Sequence, residues 1–230
     1  MFDLLGRNVK RMKLWFKWSF GQMGTPAVYY GDEIGKTNSW SFEWREAGRR
    51  LADMEATGKL SGRELSQVKE AYEKQMRDHA SEPPKDRVLE KILDGRLVHR
   101  GVVDQADIAS AGENPVYQGM RGLAAIRGNS KALRDGGEDI PIETLDANVG
   151  GYLRRFRTES GAIGEEVAVL ANMVGQPKTV NIAKSQLSAA GRFELFELEQ
   201  QKSVSFTDRG DYISLEIPAY ECYYLEIQPQ

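Results

Sequence analysis

Two histidines and one cysteine are the only imidazole and thiol groups in this 230-residue chain. A lone thiol, Cys222, closes no internal disulfide, so packing alone must hold the fold, and a reducing, cytoplasmic compartment is expected. His79 and His99 have no His, Cys or carboxylate company at a metal-ligand spacing. They read as solvated surface histidines, with no metal and no cofactor. Strong charge is missing too: 31 Lys and Arg against 34 Asp and Glu leave a net charge of −3. So small a charge steers the chain neither to nucleic acid nor to a membrane. Long apolar runs are also lacking. Arg7, Lys10, Arg11, Lys13 and Lys17 interrupt the N-terminal segment, whereas a signal peptide needs roughly 7–15 unbroken apolar residues and a membrane span about 20. There is no internal repeat, nucleotide-binding glycine loop or activated-nucleophile motif.

What is present divides into three blocks. In the first, residues 1–35, Phe2, Leu5, Val9, Met12 and Phe16 recur at helical spacing, widened by Leu4, Trp15 and Trp18. An amphipathic helix carrying Trp15, Phe16 and Trp18 could coat a membrane surface, but the turn and apolar run after the helix give those residues a better use, as the packing face of an outer helix. Gly24-Thr25-Pro26 ends the helix, and Ala27-Val28-Tyr29-Tyr30 is a short apolar run of β character without alternation. Such a run suits a parallel strand buried on both faces.

The second block, residues 36–112, is polar and helical. Trp40, Trp44, Ala47, Leu51 and Met54 share one face, and Leu65, Val68, Tyr72 and Met76 form a second stripe behind Ser61 and Glu64 at capping-box spacing. Asp86 can cap a short helix carrying Val88, Leu89, Ile92 and Leu93. In the third block Asn114-Pro115 opens a helix that turns Val116, Met120, Leu123 and Ile126 inward. From about residue 138 the period changes. Segments 150–158, 165–172, 177–182, 193–198, 202–206, 212–217 and 221–227 read as short strands between turn residues. Regular short strands of this kind predict an antiparallel sandwich.

The string Gly24 to Gly35, GTPAVYYGDEIG, resembles the turn, eighth strand and following loop of the α-amylase family of glycoside hydrolases, G-x-P-x-I-Y-Y-G-D-E-x-G. Two further matches follow in register. Leu123 to Arg127, then Ala132-Leu133-Arg134 and Gly136, resembles the family's eighth helix and its exit. Leu215 to Tyr220, leading into Tyr223-Tyr224-Leu225, is similar to its last hairpin. The resemblance implies an α/β plus all-β chain: the end of a (β/α)8 barrel in residues 1–137, with a helical insertion at 36–112, followed by a β-sandwich in residues 138–230.

It also implies retaining chemistry on α-glucans or α-glucosides, with a nucleophilic carboxylate and an acid about 5–5.5 Å apart. In the family those carboxylates follow barrel strands four, five and seven. All three positions precede Met1, so the chain is expected to be a C-terminal fragment with no catalytic residue. A separate polypeptide supplying strands one to seven is the less favoured alternative. Asp32 and Glu33 are consecutive; if the strand continues they point to opposite faces and form no dyad. The substrate-facing candidates are Tyr30, Asp32, Glu33 and Trp40, with Arg100 in a segment resembling an arginine-bearing cleft loop. For Asp32 and Glu33, support of the strand-eight rim is the plainer role. For Trp40 and Trp44, one turn apart, packing the helix onto its support is the plainer role. A second class of function is a non-catalytic sandwich that binds glycans or another protein.

Overall fold

The computed structural model describes every residue except 1, 3, 38, 96–102, 104, 135–136 and 190. The chain forms two compact units. One comprises Met1–Gly35 with Ala109–Gln230, the other Lys36–Ile108.

In the first unit two antiparallel sheets face each other. Strands β1 (Glu138–Pro141), β2 (Val149–Arg157), β3 (Ile163–Asn172), β5 (Phe193–Glu197), β6 (Lys202–Ser203) and β9 (Cys222–Pro229) form one sheet, in the order β1-β2-β3-β9-β5-β6. Strands β4 (Lys178–Ala183), β7 (Thr207–Asp208) and β8 (Tyr212–Ile217) form the other, in the order β4-β8-β7. No barrel closes among the described residues. The expected sandwich is there, with each foreseen segment within a few residues of a strand. The short edge strands β1 and β7 fall outside the expected segments.

The run Val167-Ala168-Val169-Leu170-Ala171 of β3 is apolar throughout because both of its faces are covered. Ala168 and Leu170 join Leu153, Val180, Ile182, Leu195, Ile213, Leu215 and Leu225 between the sheets. Val167, Val169 and Ala171 meet a helical layer instead, with Tyr152, Cys222 and Tyr224 beside them. In β8, by contrast, Ile213, Leu215 and Ile217 are buried while Tyr212 and Glu216 are exposed, the alternation of a strand with one wet face.

The helical layer is α1 (Val9–Gly21), α5 (Pro115–Asn129) and α6 (Lys131–Arg134). Met12, Leu14, Phe16 and Phe20 of α1, Val116 and Leu123 of α5, and Ala132 and Leu133 of α6 are buried there. Gly21 permits the approach of α1: a Cβ at this position would lie 2.5 Å from Tyr152 Oη. That hydroxyl donates to Trp18 O at 2.9 Å, and the Trp18 ring meets Tyr152 edge-on at 4.8 Å. The helix is shorter than its apolar stripe. Asn8 caps it, accepting from Arg11 N at 3.1 Å, and residues 4–7 form turns with Gly6 and Arg7 at positive φ.

The expected strand at Ala27–Tyr30 is not a strand. Residues 25–29 run without regular structure or sheet partner, because no described segment lies alongside to complete a ladder. Tyr29 and Tyr30 stay about half exposed, their rings 4.7 Å apart.

The second unit holds α2 (Trp40–Ala56), α3 (Gly62–His79), a 3₁₀ helix at Arg87–Ile92 and α4 (Gln105–Ser110), whose last two residues lie beyond the unit's boundary. Its core is Trp44, Ala47, Leu51, Leu60, Val68, Leu89 and Ile92. Asp86 caps the 3₁₀ helix as expected, accepting from Val88 N at 3.0 Å. The capping box does not form: Ser61 makes no side-chain cap, and Glu64 pairs with Lys91. Buried Glu43 accepts from Arg50 Nη2 at 2.5 Å and from Asp94 N at 2.7 Å, which ties α2 to the chain beyond the 3₁₀ helix.

Candidate functional site

The motif segment Gly24–Gly35 emerges from the C-terminal end of α1, where a helix leaves its last carbonyls without intrahelical partners. Arg127, in the last turn of α5, supplies the donors. Its Nη1 reaches Phe20 O at 2.5 Å and Gln22 O at 2.9 Å, and its Nη2 reaches Gly24 O. A cation at this place also matches the negative end of the helix dipole.

The far end of the segment is held by the residue that opens the same helix. Asn114 caps α5, its Oδ1 accepting from Val116 N at 2.8 Å and Tyr117 N at 3.3 Å. Its Nδ2 turns the other way and donates to Ile34 O at 2.9 Å.

Between the anchors lie the candidate residues Tyr30, Asp32 and Glu33. Gly31, at φ 90°, and Gly35, at φ 64°, adopt left-handed conformations open to glycine and bracket a 3₁₀ turn at Asp32–Ile34. Asp32 N donates to Tyr29 O and Gly35 N to Asp32 O, each at 3.0 Å. The strand geometry on which opposite-facing carboxylates were expected therefore does not extend to Asp32 and Glu33. With about three residues per turn, neighbours in the 3₁₀ turn still diverge by roughly 120°. Glu33 Oε2 is closed off from solvent without a hydrogen-bond partner among the described residues.

Trp40 belongs to the other unit. It packs against that unit's core, 6.1 Å from Trp44 at an interplanar angle of 32°. Trp44 is fully buried and its Nε1 donates to Glu82 O at 2.8 Å, so it presents no face to a sugar. Arg100, with His99, lies outside the described residues. His79 ends α3, 3.4 Å from Glu82. Among the described residues no group of three metal-ligating side chains converges, and no helix is long and apolar enough to cross a membrane.

Sequence reasoning misses two features of this region. Lys17 reads as one of the basic residues that interrupt the N-terminal apolar stripe, yet it is buried and paired with Glu199 and Glu221. Burial alone would lower its pKa; the two carboxylates outweigh that and hold the ammonium above its usual range. The Tyr224 hydroxyl donates to Lys17 O. Arg127 stands out in the sequence only as part of a motif. Its anchoring role depends on the packing of α5 beside the end of α1, more than 100 residues away in sequence, which no local pattern reveals.

No protein-family profile matches the chain, and no curated protein matches it. Solved structures do. AmyP in complex with maltotriose superposes over 96% of this chain and 35% of its own, with a TM-score of 0.60 and 15% identity. A maltogenic α-amylase, AmyB, from Thermotoga neapolitana covers 96% of this chain and 37% of its own (TM-score 0.54, 13% identity). An α-amylase from H. orenii covers 100% and 37% (TM-score 0.53, 14% identity). The chain thus has the fold of the α-amylase C-terminal region, helices followed by a β-sandwich, and spans about a third of the length of these structures.

Proposed function

We propose that this chain belongs to the α-amylase family of glycoside hydrolases and serves as the C-terminal third of a retaining enzyme acting on α-glucans or α-glucosides. The observation that carries this is the coverage. Nearly all of the chain superposes on α-amylases, and only 35–37% of each is used. The motif segment Gly24–Gly35, clamped by Arg127 and Asn114, supports it further. AmyP, which shares this fold, was captured with maltotriose and with maltose, which favours a glucan ligand for the whole protein.

In this reading residues 1–137 are the end of a barrel and residues 138–230 its trailing sandwich. Tyr30, Asp32 and Glu33 belong to the rim beside the substrate, Asp32 and Glu33 mainly as structural support. Trp40 and Arg100 are weaker candidates for substrate contact. The carboxylates that attack and protonate the glycosidic bond belong to barrel strands that residues 1–230 do not form. The 230-residue chain alone then turns over no α-glucoside.

Two measurements test this. Incubation of the purified chain with maltoheptaose, followed by product chromatography, should show no cleavage; turnover abolished by Asp32→Asn overturns the reading. Sequencing the DNA ahead of codon 1 should reveal a segment encoding Asn-His-Asp, in frame or frameshifted. Its absence there argues against a continuous enzyme.

A further inference from the structure

The three-stranded sheet has an outer face of its own, on which Asn181 stands opposite Ser214 and Ala183 opposite Tyr212. The methyl of Ala183 is too small to cover a phenol ring, and Tyr212 remains 40% exposed. Beside it opens a cleft of about 370 Å³ walled by Glu143, Leu145, Asn181, Gln186 and Asp211. That volume falls in the range of small-molecule sites, roughly 300–1,000 Å³.

The frame is fixed. Glu143 N donates to Gln186 Oε1 at 2.9 Å, Lys184 N to Asp211 O at 2.8 Å, and Ser214 Oγ to Asn181 Oδ1 at 2.5 Å. Once these bonds are made, the Glu143 and Asp211 carboxylates, the Asn181 amide N–H groups and the Tyr212 hydroxyl have no partner among the described residues. Leu145 on the rim is 87% exposed at φ 57°, a left-handed conformation that crowds a branched side chain. Its neighbours hold it there: buried Thr144 donates to Val149 O at 2.6 Å, and Asp146 Oδ1 accepts from Asn148 N at 2.9 Å.

We propose that this cleft is a binding site for a neutral saccharide. The aliphatic face of a pyranose lies on the Tyr212 ring, with the Leu145 side chain at the rim contacting the sugar. Sugar hydroxyls donate to Glu143 and Asp211 and accept from Asn181 Nδ2. An anionic ligand meets two carboxylates and no cation in the wall. A purely apolar ligand would strip water from those carboxylates with nothing in exchange. A sugar offers both the carbon face and the hydroxyl donors, and no metal is needed. The site is independent of the proposed enzyme family, since it lies wholly on the sandwich and requires no catalytic group.

Calorimetric titration of the full 230-residue chain with maltoheptaose and, separately, with cellohexaose is the test. Binding of at least one is expected at millimolar affinity or tighter. Tyr212→Ala should weaken it by about tenfold or more, the loss of one stacked ring. Tyr212→Phe should keep most of it, and Glu143→Gln should weaken it several-fold. Lys202→Ala, on the edge strand of the other sheet, should change nothing. Tyr212 is exposed enough for its replacement to leave the fold intact, which circular dichroism checks. Failure of both sugars to bind, or binding that Tyr212→Ala leaves unmoved, overturns the proposal. Absence of turnover in the cleavage assay does not bear on it.

Discussion

Replacing Arg127 by Ala should loosen the whole Gly24–Gly35 segment. The guanidinium donates to three carbonyls, those of Phe20, Gln22 and Gly24. A hydrogen bond from a charged donor contributes roughly 1.5–3 kcal/mol net when its partner cannot rehydrate. Only the Phe20 carbonyl is partly buried; the other two are exposed, and water replaces the lost donor there. A cation beside a helix C-terminus adds about 0.3–1 kcal/mol. The expected loss is therefore about 2–4 kcal/mol, which is roughly a 30- to 700-fold rise in local opening at 1.4 kcal/mol per decade. Hydrogen exchange followed by peptide mass spectrometry reads this directly, with faster exchange over residues 20–35 and little change in β3 or β9. Arg127→Lys should recover little, because an ammonium cannot span three acceptors with the planar fork that Arg presents. Unchanged exchange over residues 20–35 in Arg127→Ala would show that the segment is held by something other than this clamp.

Lys17→Met keeps the aliphatic stem but leaves Glu199 and Glu221 facing each other. A loss of about 1–3 kcal/mol is expected, below the range for a fully buried pair because each carboxylate is a third exposed. Adding Glu199→Gln to that variant should restore part of the loss in urea unfolding, and a purely additive double variant would refute the pairing. Arg154 is closed from solvent with three side-chain nitrogens lacking partners among the described residues, and burial lowers its pKa. Arg154→Met should then be neutral or stabilising by about 1–3 kcal/mol; a clear drop in urea midpoint counts against that. The Asn148 amide and Lys178 hold the Asp146 carboxyl below its usual pKa. A depressed folded-state value stabilises above the unfolded pKa and is lost as pH falls through the folded one. Asp146→Asn should therefore flatten part of the fall in Tm on acidification below about pH 4; identical acid profiles would contradict it.

The sandwich is legible in the sequence because its signals are local. In Tyr212 to Ile217 the buried and exposed residues alternate strictly, and turn residues mark the strand ends. The short β1 escapes because Glu138-Asp139-Ile140-Pro141 is a polar edge strand with too few residues to show a period. The start of α1 is misplaced for the opposite reason: Phe2 and Leu5 continue the apolar stripe through a turn and still pack against the helical layer. At the candidate site, Asn114 is legible as a cap because an N-cap needs only its own neighbours. Its second bond, to Ile34 O, joins residues 80 apart in sequence. Lys17 and Glu221 are 204 residues apart, and nothing near Lys17 in sequence distinguishes it from the solvent-facing lysines of α1. Local chemistry can be read, and long-range pairing cannot.

The two anchors also account for how residues 25–30 lie without a sheet to hold them. Arg127 grips one end of the segment and Asn114 the other, so α5 sets the distance between them. Thirteen residues of helix at about 1.5 Å each make roughly 20 Å. Five residues, 25–29, at up to about 3.3 Å each cover at most roughly 17 Å of this. The remaining residues are taken up in the turn that begins at Tyr30 and in the glycine-bracketed 3₁₀ turn. The apolar Val28 turns toward the helical layer while Tyr29 and Tyr30 stack on each other and stay half exposed. A strand added alongside would meet a segment already tethered at both ends to one helix, by Arg127 and by Asn114.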